Sequence, residues 1–437
     1  MQIGEASGPA RRPATTSSDR RLLFLQGPPG PFWVELGEAC RGAGMEVFKV
    51  NFCLPEEIRW PTPATRYSGR LEDWDRWLER YCVDNQITDI LYYADRLPYH
   101  AAAGQVADRL GLRAWVLENG YLRPDWLTFE PFGMSDRSRL PRSQARRQAL
   151  ARQGAGANLS PRFRHSFAEE GFAEVCYGLA SAIGRLRYPN YRSDRYYPPI
   201  YDYLSWGLRW TQQLATARAR RRVSREIEAG ALSFTLLALQ LQSDYQIRAS
   251  SPYDHLAEML EEVIANFARR APHDRHLIIK GHPLDNGCEN WPRVIRRLSR
   301  DHGVRHRVHW LDGGDLDALI RRAQGLITVN STVGLKALLA DCPVLALGSA
   351  IYDEPGLTHQ RGLDRFWTSP DHPDSAHVEK FLGALIAWSQ VRGSFYDPEG
   401  RAHGIHEIIN RLTMVQNCTA GEKTSTHPLA SRETVVL

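Results

Sequence analysis

HLIIKGHP, residues 276–283, decides how the chain divides. An apolar run too short for a helix ends in Gly-His-Pro, whose backbone preferences stop regular structure, so the stretch reads as a buried strand with Lys280 and His282 at its tip. The same grammar surrounds it. Residues 232–240, 308–311, 325–329 and 343–347 read as further strands, with helical patterns over 252–270 and 333–339 between them. An earlier series keeps the same rhythm, with strands at 21–26, 45–51, 87–93 and 113–118 and a helix near 101–110. Alternating strands and helices call for a parallel sheet flanked by helices, and ligands of such sheets sit at the carboxyl ends of the strands. Two series in succession predict two Rossmann-like domains with a cleft between them.

The expected division is a disordered segment over 1–20, an N-terminal domain over 21–225, a C-terminal domain over 226–416 and a flexible tail over 417–437. Residues 142–225 interrupt the rhythm with Arg-, Tyr- and Pro-rich segments, read as helices that finish the first domain and lead to a hinge.

At 437 residues, 43% hydrophobic and 24% charged, with 12 tryptophans, the chain can bury large cores, and its length favours two domains. No apolar h-region opens it and no run of about 18 apolar residues interrupts it, so neither a cleaved secretion signal nor a membrane span is expected. The 7 cysteines are scattered, with no C-x-x-C pair, which predicts reduced thiols in the cytoplasm and no structural zinc site. A net charge of +5 rests on arginine. Two basic stretches, 137–147 and RARRRVSR at 218–225, are either solvated helix faces or contacts for anionic headgroups and phosphates. No motif supports nucleic-acid binding.

Four stretches fall at predicted strand ends and can converge on one cleft: QGPPG at 26–30, ENGYLRPD at 118–125, QLQSD at 240–244 and KGHP at 280–283. A fifth, NSTVG at 330–334, lies between strand and helix, where hydroxyls and free N–H groups form an anion site unless Asn330 or Ser331 is simply an N-cap. Lys280 and His282 add a cation and a donor for the same anion, with phosphate the natural candidate. Neither a Walker motif nor a G-x-G-x-x-G turn is present. Glu118 closes a strand of the first series and Asp244 follows the first strand of the second, so a cleft between the domains would carry one acid on each wall. Paired acids suit glycosyl transfer, one at the anomeric centre and one exchanging a proton with the acceptor hydroxyl.

Taken in order, LQGPPGPF (25–32), KVNF (49–52), ENGYLRPDW (118–126), SRLPR (138–142), LQ (239–240) with DYQIR (244–248), KGHP (280–283) and VNSTVG (329–334) resemble the KpsS/LipB-type capsular polysaccharide biosynthesis proteins. The resemblance runs from about residue 22 to about 370. It implies a GT-B-like α/β fold, two Rossmann-like domains facing across a central cleft. It implies a retaining β-Kdo glycosyltransferase that moves Kdo from CMP-β-Kdo to a (lyso)phosphatidylglycerol-type lipid at the cytoplasmic face of the inner membrane, without a metal or other cofactor. Other capsule biosynthesis and export proteins are the expected partners.

Carried onto this sequence, the resemblance makes Asp244 the acid near the anomeric carbon and Glu118 the proton-transferring partner. Lys280, His282, Pro283, Asn330, Ser331, Thr332 and Gln240 would hold the donor. Gly27, Arg123, Asp95, Arg96 and His100 would line the acceptor side. The chain departs from the family pattern at Arg192-Ser193-Asp194 and Ala249, where histidines are frequent, so a different acceptor recognition is expected there, and at Asn119, where a second acid often stands, which leaves Glu118 as the sole candidate. Two other readings stay open: a non-catalytic protein that binds the polysaccharide or its lipid terminus for export, and a glycosyltransferase of this architecture using another nucleotide sugar.

Overall fold

The computed structural model describes residues 20–163 and 167–414. The expected tail over 417–437 lies outside them, as does all of the expected disordered segment except Arg20, which is buried.

Among the described residues, twelve strands form two sheets. The first contains β1 (Arg21–Phe24), β2 (Glu46–Asn51), β3 (Thr65–Arg66), β4 (Asp89–Tyr93), β5 (Arg113–Asn119) and β6 (Trp126–Pro131), and the second contains β7 (Ser233–Ala238), β8 (Arg275–Lys280), β9 (Val308–Leu311), β10 (Leu326–Thr328) and β11 (Val344–Ala346). The twelfth, β12 (Gln390–Arg392), returns to the first sheet, whose order is β12-β6-β5-β4-β1-β2-β3; the second runs β11-β10-β7-β8-β9.

β1 lies between β2 and β4, parallel to both, and its Leu22, Leu23 and Phe24 are wholly buried, the unbroken apolar run of a strand covered on both faces. β7 holds the same position in the second sheet, parallel to β8 and β10. Because β7, β8 and β10 run the same way, Gln240, Lys280 and Asn330 emerge along one edge, and β4 and β5 likewise release Ala94 and Glu118 together. The α/β architecture of two Rossmann-like halves is as expected.

The domain boundary at 416 needs correction. β6 turns back antiparallel to β5 and offers an open edge, which β12 closes in antiparallel register, Val391 opposite Leu127. The last helix, Pro398–Met414, then buries Ile405, Ile408 and Leu412 against Leu127 and Phe129 of that sheet, and Arg401 pairs with Glu35 at 2.9 Å. Helix Ser375–Ser389 also packs on helix Gln144–Gly154 through Gly154, where a Cβ would stand 2.1 Å from the Gly383 carbonyl oxygen, so only glycine fits. The C-terminal part of the expected second domain therefore completes the first.

Polar contacts fasten one half to the other. Arg147 forms a bidentate pair with Glu354 at 2.7 and 2.8 Å, and the Ser250 hydroxyl donates to Asp136 at 2.9 Å. The six described cysteines are free. Among the described residues no helix is long and apolar enough to cross a membrane.

Candidate active site

Glu118 stands at the end of β5 in a ring of donors. Its Oε1 accepts from the Tyr93 hydroxyl at 3.0 Å and from the Asn119 N–H at 3.1 Å, while Oε2 accepts from the Tyr245 hydroxyl at 3.2 Å. Desolvation opposes its ionisation, and the negative charge of Asp244 adds to this; together they outweigh Arg123 and the donors and raise the carboxyl to about 6. Asp244 faces it from the other half. It caps helix Tyr245–Ser250, with Oδ1 accepting from the Gln246 N–H at 2.9 Å, and burial raises its pKa against the pull of Gln246, Gln240, Arg123 and Arg248. The two acids thus lie within each other's field, with Tyr245 reaching from beside one to touch the other.

Arg123 is the cation of this centre. Its charge acts on Glu118, Asp244 and His282, which come from both sheets. It also lines a cavity of about 290 Å³ between the halves, together with Trp126, Arg321, Leu335 and Lys336.

At the tip of β8, burial pushes the Lys280 ammonium below its ordinary range. His282 is lowered to about 4, by desolvation first and then by the positive charges of Arg123, Lys280 and Arg209. Its Nδ1 accepts from the Leu284 N–H at 3.1 Å, so the neutral ring carries its proton on Nε2 and presents a donor there. Pro283 is exposed, and its carbonyl accepts from Arg209 at 2.7 Å.

The polar turn after β10 has two functions. Gln240 and Asn330 grip each other, amide nitrogen to Asn330 Oδ1 at 2.9 Å and Asn330 N–H to Gln240 Oε1 at 3.0 Å, and the Asn330 amide donates to the carbonyls of Gln246 and Ser250. Asn330 therefore holds the Asp244 helix in place, and its side chain is spent on that, not on a ligand. Ser331 Oγ accepts from the Val333 N–H at 3.2 Å, and Thr332 precedes helix Val333–Leu339 without capping it through its side chain.

The expected acceptor side needs correction. His100 is wholly buried, its Nδ1 bonded to the Tyr93 and Ala94 carbonyls at 2.6 and 3.0 Å and its ring against Tyr92, which makes it a core residue. Arg96 is committed to Asp136 in an ion pair of 2.5 Å, and buried Asp95 accepts from the Met134 N–H at 3.2 Å. Gly27 is buried beneath Trp33, whose indole occupies the space a Cβ would need. Of that set, Arg123 alone joins the two acids.

Sequence reasoning passed over Tyr245, although it stands in the quoted DYQIR stretch, and Arg209. Arg209 reaches from the long helix Pro199–Glu228 to the carbonyls of Pro283 and Asp285 and to Asp312 at 3.3 Å. Gln213 adds a bond to Asp312 at 2.9 Å and Gln212 one to the Gly287 carbonyl at 3.2 Å, so one helix clamps the whole loop after β8. Among the described residues no group of three or more His, Cys, Asp or Glu side chains is arranged to hold a metal ion.

A family model described as "Capsule polysaccharide biosynthesis protein" matches residues 88–396. The "Capsule polysaccharide export protein KpsS" of Escherichia coli is 32% identical over 391 residues, covering 87% of this chain and 97% of that protein. The "Capsule polysaccharide modification protein LipB" of Neisseria meningitidis serogroup B is 28% identical over 395 residues, covering 87% and 92%. Among solved structures, the β-Kdo 2,7 transferase of KpsC from Thermosulfurimonas dismutans aligns over 90% of this chain and 100% of its own at 13% identity, with a TM-score of 0.41.

Proposed function

We propose, from the premise that the chain belongs to the capsule polysaccharide biosynthesis protein family, that it is a retaining glycosyltransferase moving Kdo from CMP-β-Kdo to a (lyso)phosphatidylglycerol-type lipid. The observation that carries this reading is the approach of Glu118, at the end of β5, to the turn that carries Asp244: the hydroxyl of Tyr245, next to Asp244, donates to Glu118 at 3.2 Å, and the charge of Arg123 acts on both acids.

The chemistry follows from the charges. The donor is a carboxylic acid joined to a phosphate, so binding it requires cations and donors: Arg123, Lys280 and the Nε2–H of neutral His282 supply them. As the glycosidic bond to phosphate breaks, positive charge grows on the ketose ring, and Asp244, held by its cap bond and by Gln240, stabilises or briefly traps that centre. Glu118, raised to about 6, is poised to take the proton of the acceptor hydroxyl near neutral pH. CMP leaves as a monophosphate of low charge, for which no metal is required in this reading. The reaction would take place at the cytoplasmic face of the inner membrane, alongside other capsule proteins.

The name of the E. coli relative, an export protein, favours a second reading, in which the cleft binds polysaccharide or its lipid terminus without turnover. Incubation with CMP-Kdo and a lysophosphatidylglycerol, followed by mass spectrometry of the lipid, separates the two. One added Kdo supports transfer; an unmodified lipid with intact CMP-Kdo supports the binding protein, and transfer from a UDP-sugar in its place overturns the choice of donor.

A further inference from the structure

Between the two sheets lies the stretch 167–228, whose two main helices leave apolar side chains in solvent. On helix Phe167–Ile183, Phe172 is 73% exposed, Leu179 54% and Ile183 74%, with Val175 beside them, and Leu186 in the following turn is 98% exposed. Positions 172, 175, 179 and 183 are three or four apart, so they form one stripe along the helix. Its other side faces the protein: the Tyr177 hydroxyl accepts from Gln26 at 2.9 Å, just beyond β1. The next helix repeats the pattern with Trp206, Trp210 and Leu214, all exposed and four residues apart, followed by exposed Arg218, Arg221, Arg222 and Arg225. Two apolar faces, one continuing into a row of cations, are more than scattered surface hydrophobics.

In the other basic stretch, 137–147, two arginines are already paired within the protein, Arg139 with Asp108 at 2.8 Å and Arg147 with Glu354. The exposed cations following Leu214 are different: among the described residues Arg222 alone of Arg218, Arg221, Arg222 and Arg225 forms a side-chain ion pair, to Glu226 one turn on.

We propose that Phe172, Leu179, Ile183 and Leu186, with Trp206 and Trp210, form a docking surface for an anionic phospholipid leaflet. The apolar stripe enters the boundary between headgroups and acyl chains, the tryptophans lie at headgroup depth, and the arginines that follow contact lipid phosphates. Charge complementarity selects an anionic bilayer as the occupant, because its lipid phosphates supply counter-charges to the arginines that follow the apolar face. The inference deepens the lipid-acceptor reading above and is tested apart from it, because docking needs no turnover.

The test is flotation of the full chain with vesicles of phosphatidylcholine alone or containing about one third phosphatidylglycerol, neither of them a lysolipid. Wild type is expected to float with the anionic vesicles and to be released by salt, and Phe172→Ser/Leu179→Ser/Ile183→Ser to lose at least about tenfold in partitioning. These side chains are exposed, so the variant should keep its melting temperature. It should also keep the transfer rate on a detergent-dispersed acceptor, which separates loss of docking from loss of the catalytic reading. Equal flotation of variant and wild type, failure of wild type to float, or a wild-type dimer that the substitutions convert to monomer overturns the proposal.

Discussion

The hydroxyl of Tyr245 lies 3.2 Å from Oε2 of Glu118, and this bond crosses from the second half of the molecule to the first at the site itself. It links the neighbour of one candidate acid to the other acid, so a contact between the halves also bears on the protonation of Glu118. A hydroxyl that donates to a carboxylate favours its ionised form. In Tyr245→Phe the Glu118 carboxyl should rise further above about 6, and the acidic limb of the kcat/KM profile should move upward by about one pH unit. A pH–rate profile superimposable on that of wild type would show that the bond has no bearing on Glu118.

Arg209 should matter for the donor without touching it. It holds the carbonyls of Pro283 and Asp285 while paired with buried Asp312. Arg209→Ala removes the direct ion pair of Asp312, leaving it Gln213 and the more distant charge of Lys280, and frees the loop that carries His282, so about 3 kcal/mol of stability should be lost and KM for the donor should rise more than kcat falls. Arg209→Lys should recover little, because one ammonium cannot reach all three acceptors. Urea melts and steady-state kinetics of both variants check this.

His282 is predicted to act as a neutral donor. Its pKa of about 4 keeps the ring uncharged throughout the neutral range, and the Leu284 N–H fixes which nitrogen bears the proton. His282→Ala should weaken CMP binding by about tenfold to a hundredfold. The loss should be the same at about pH 6 and about pH 8. Calorimetric titration at the two pH values measures it; a loss that appears only at the lower pH would assign the interaction to an imidazolium.

Glu130 offers a test of the fold independent of activity. It is wholly buried, accepts from Trp388 at 2.9 Å and from Ser138, and burial raises it from 4.5 to about 8. The folded state thus keeps a proton that the unfolded chain gives up. The stability this supplies is complete below the unfolded pKa and is lost as pH rises through the folded one. Between about pH 5 and about pH 9 the wild type should lose a few degrees of Tm that Glu130→Gln, which cannot ionise, does not lose. Equal pH dependence of the two melts would place the burden elsewhere.

Much of the architecture was legible because buried parallel strands announce themselves as short apolar runs, as HLII before Lys280 does. β6 and β12 were not. β12 is three residues long, and Val391 becomes a strand residue only because β6 exposes an edge for it to pair with. The two acids could be placed because each ends or follows a strand, and topology puts strand ends at a cleft. Which polar residues at such ends are free for a ligand depends on partners far away in sequence. Asn330 is used by Gln240, Gln246 and Ser250, His100 by two carbonyls and the core, and Arg209 enters the site from a stretch read only as helices leading to a hinge.

Transfer rates of Glu118→Gln, Asp244→Asn and the double variant, measured with CMP-Kdo and the same lysolipid, test the central claim most directly. If the two acids act on one substrate from opposite walls, each single variant should lose about a thousandfold or more in kcat with unchanged melting, and the double variant should be little worse than either. Either single variant turning over at near wild-type rate would contradict it.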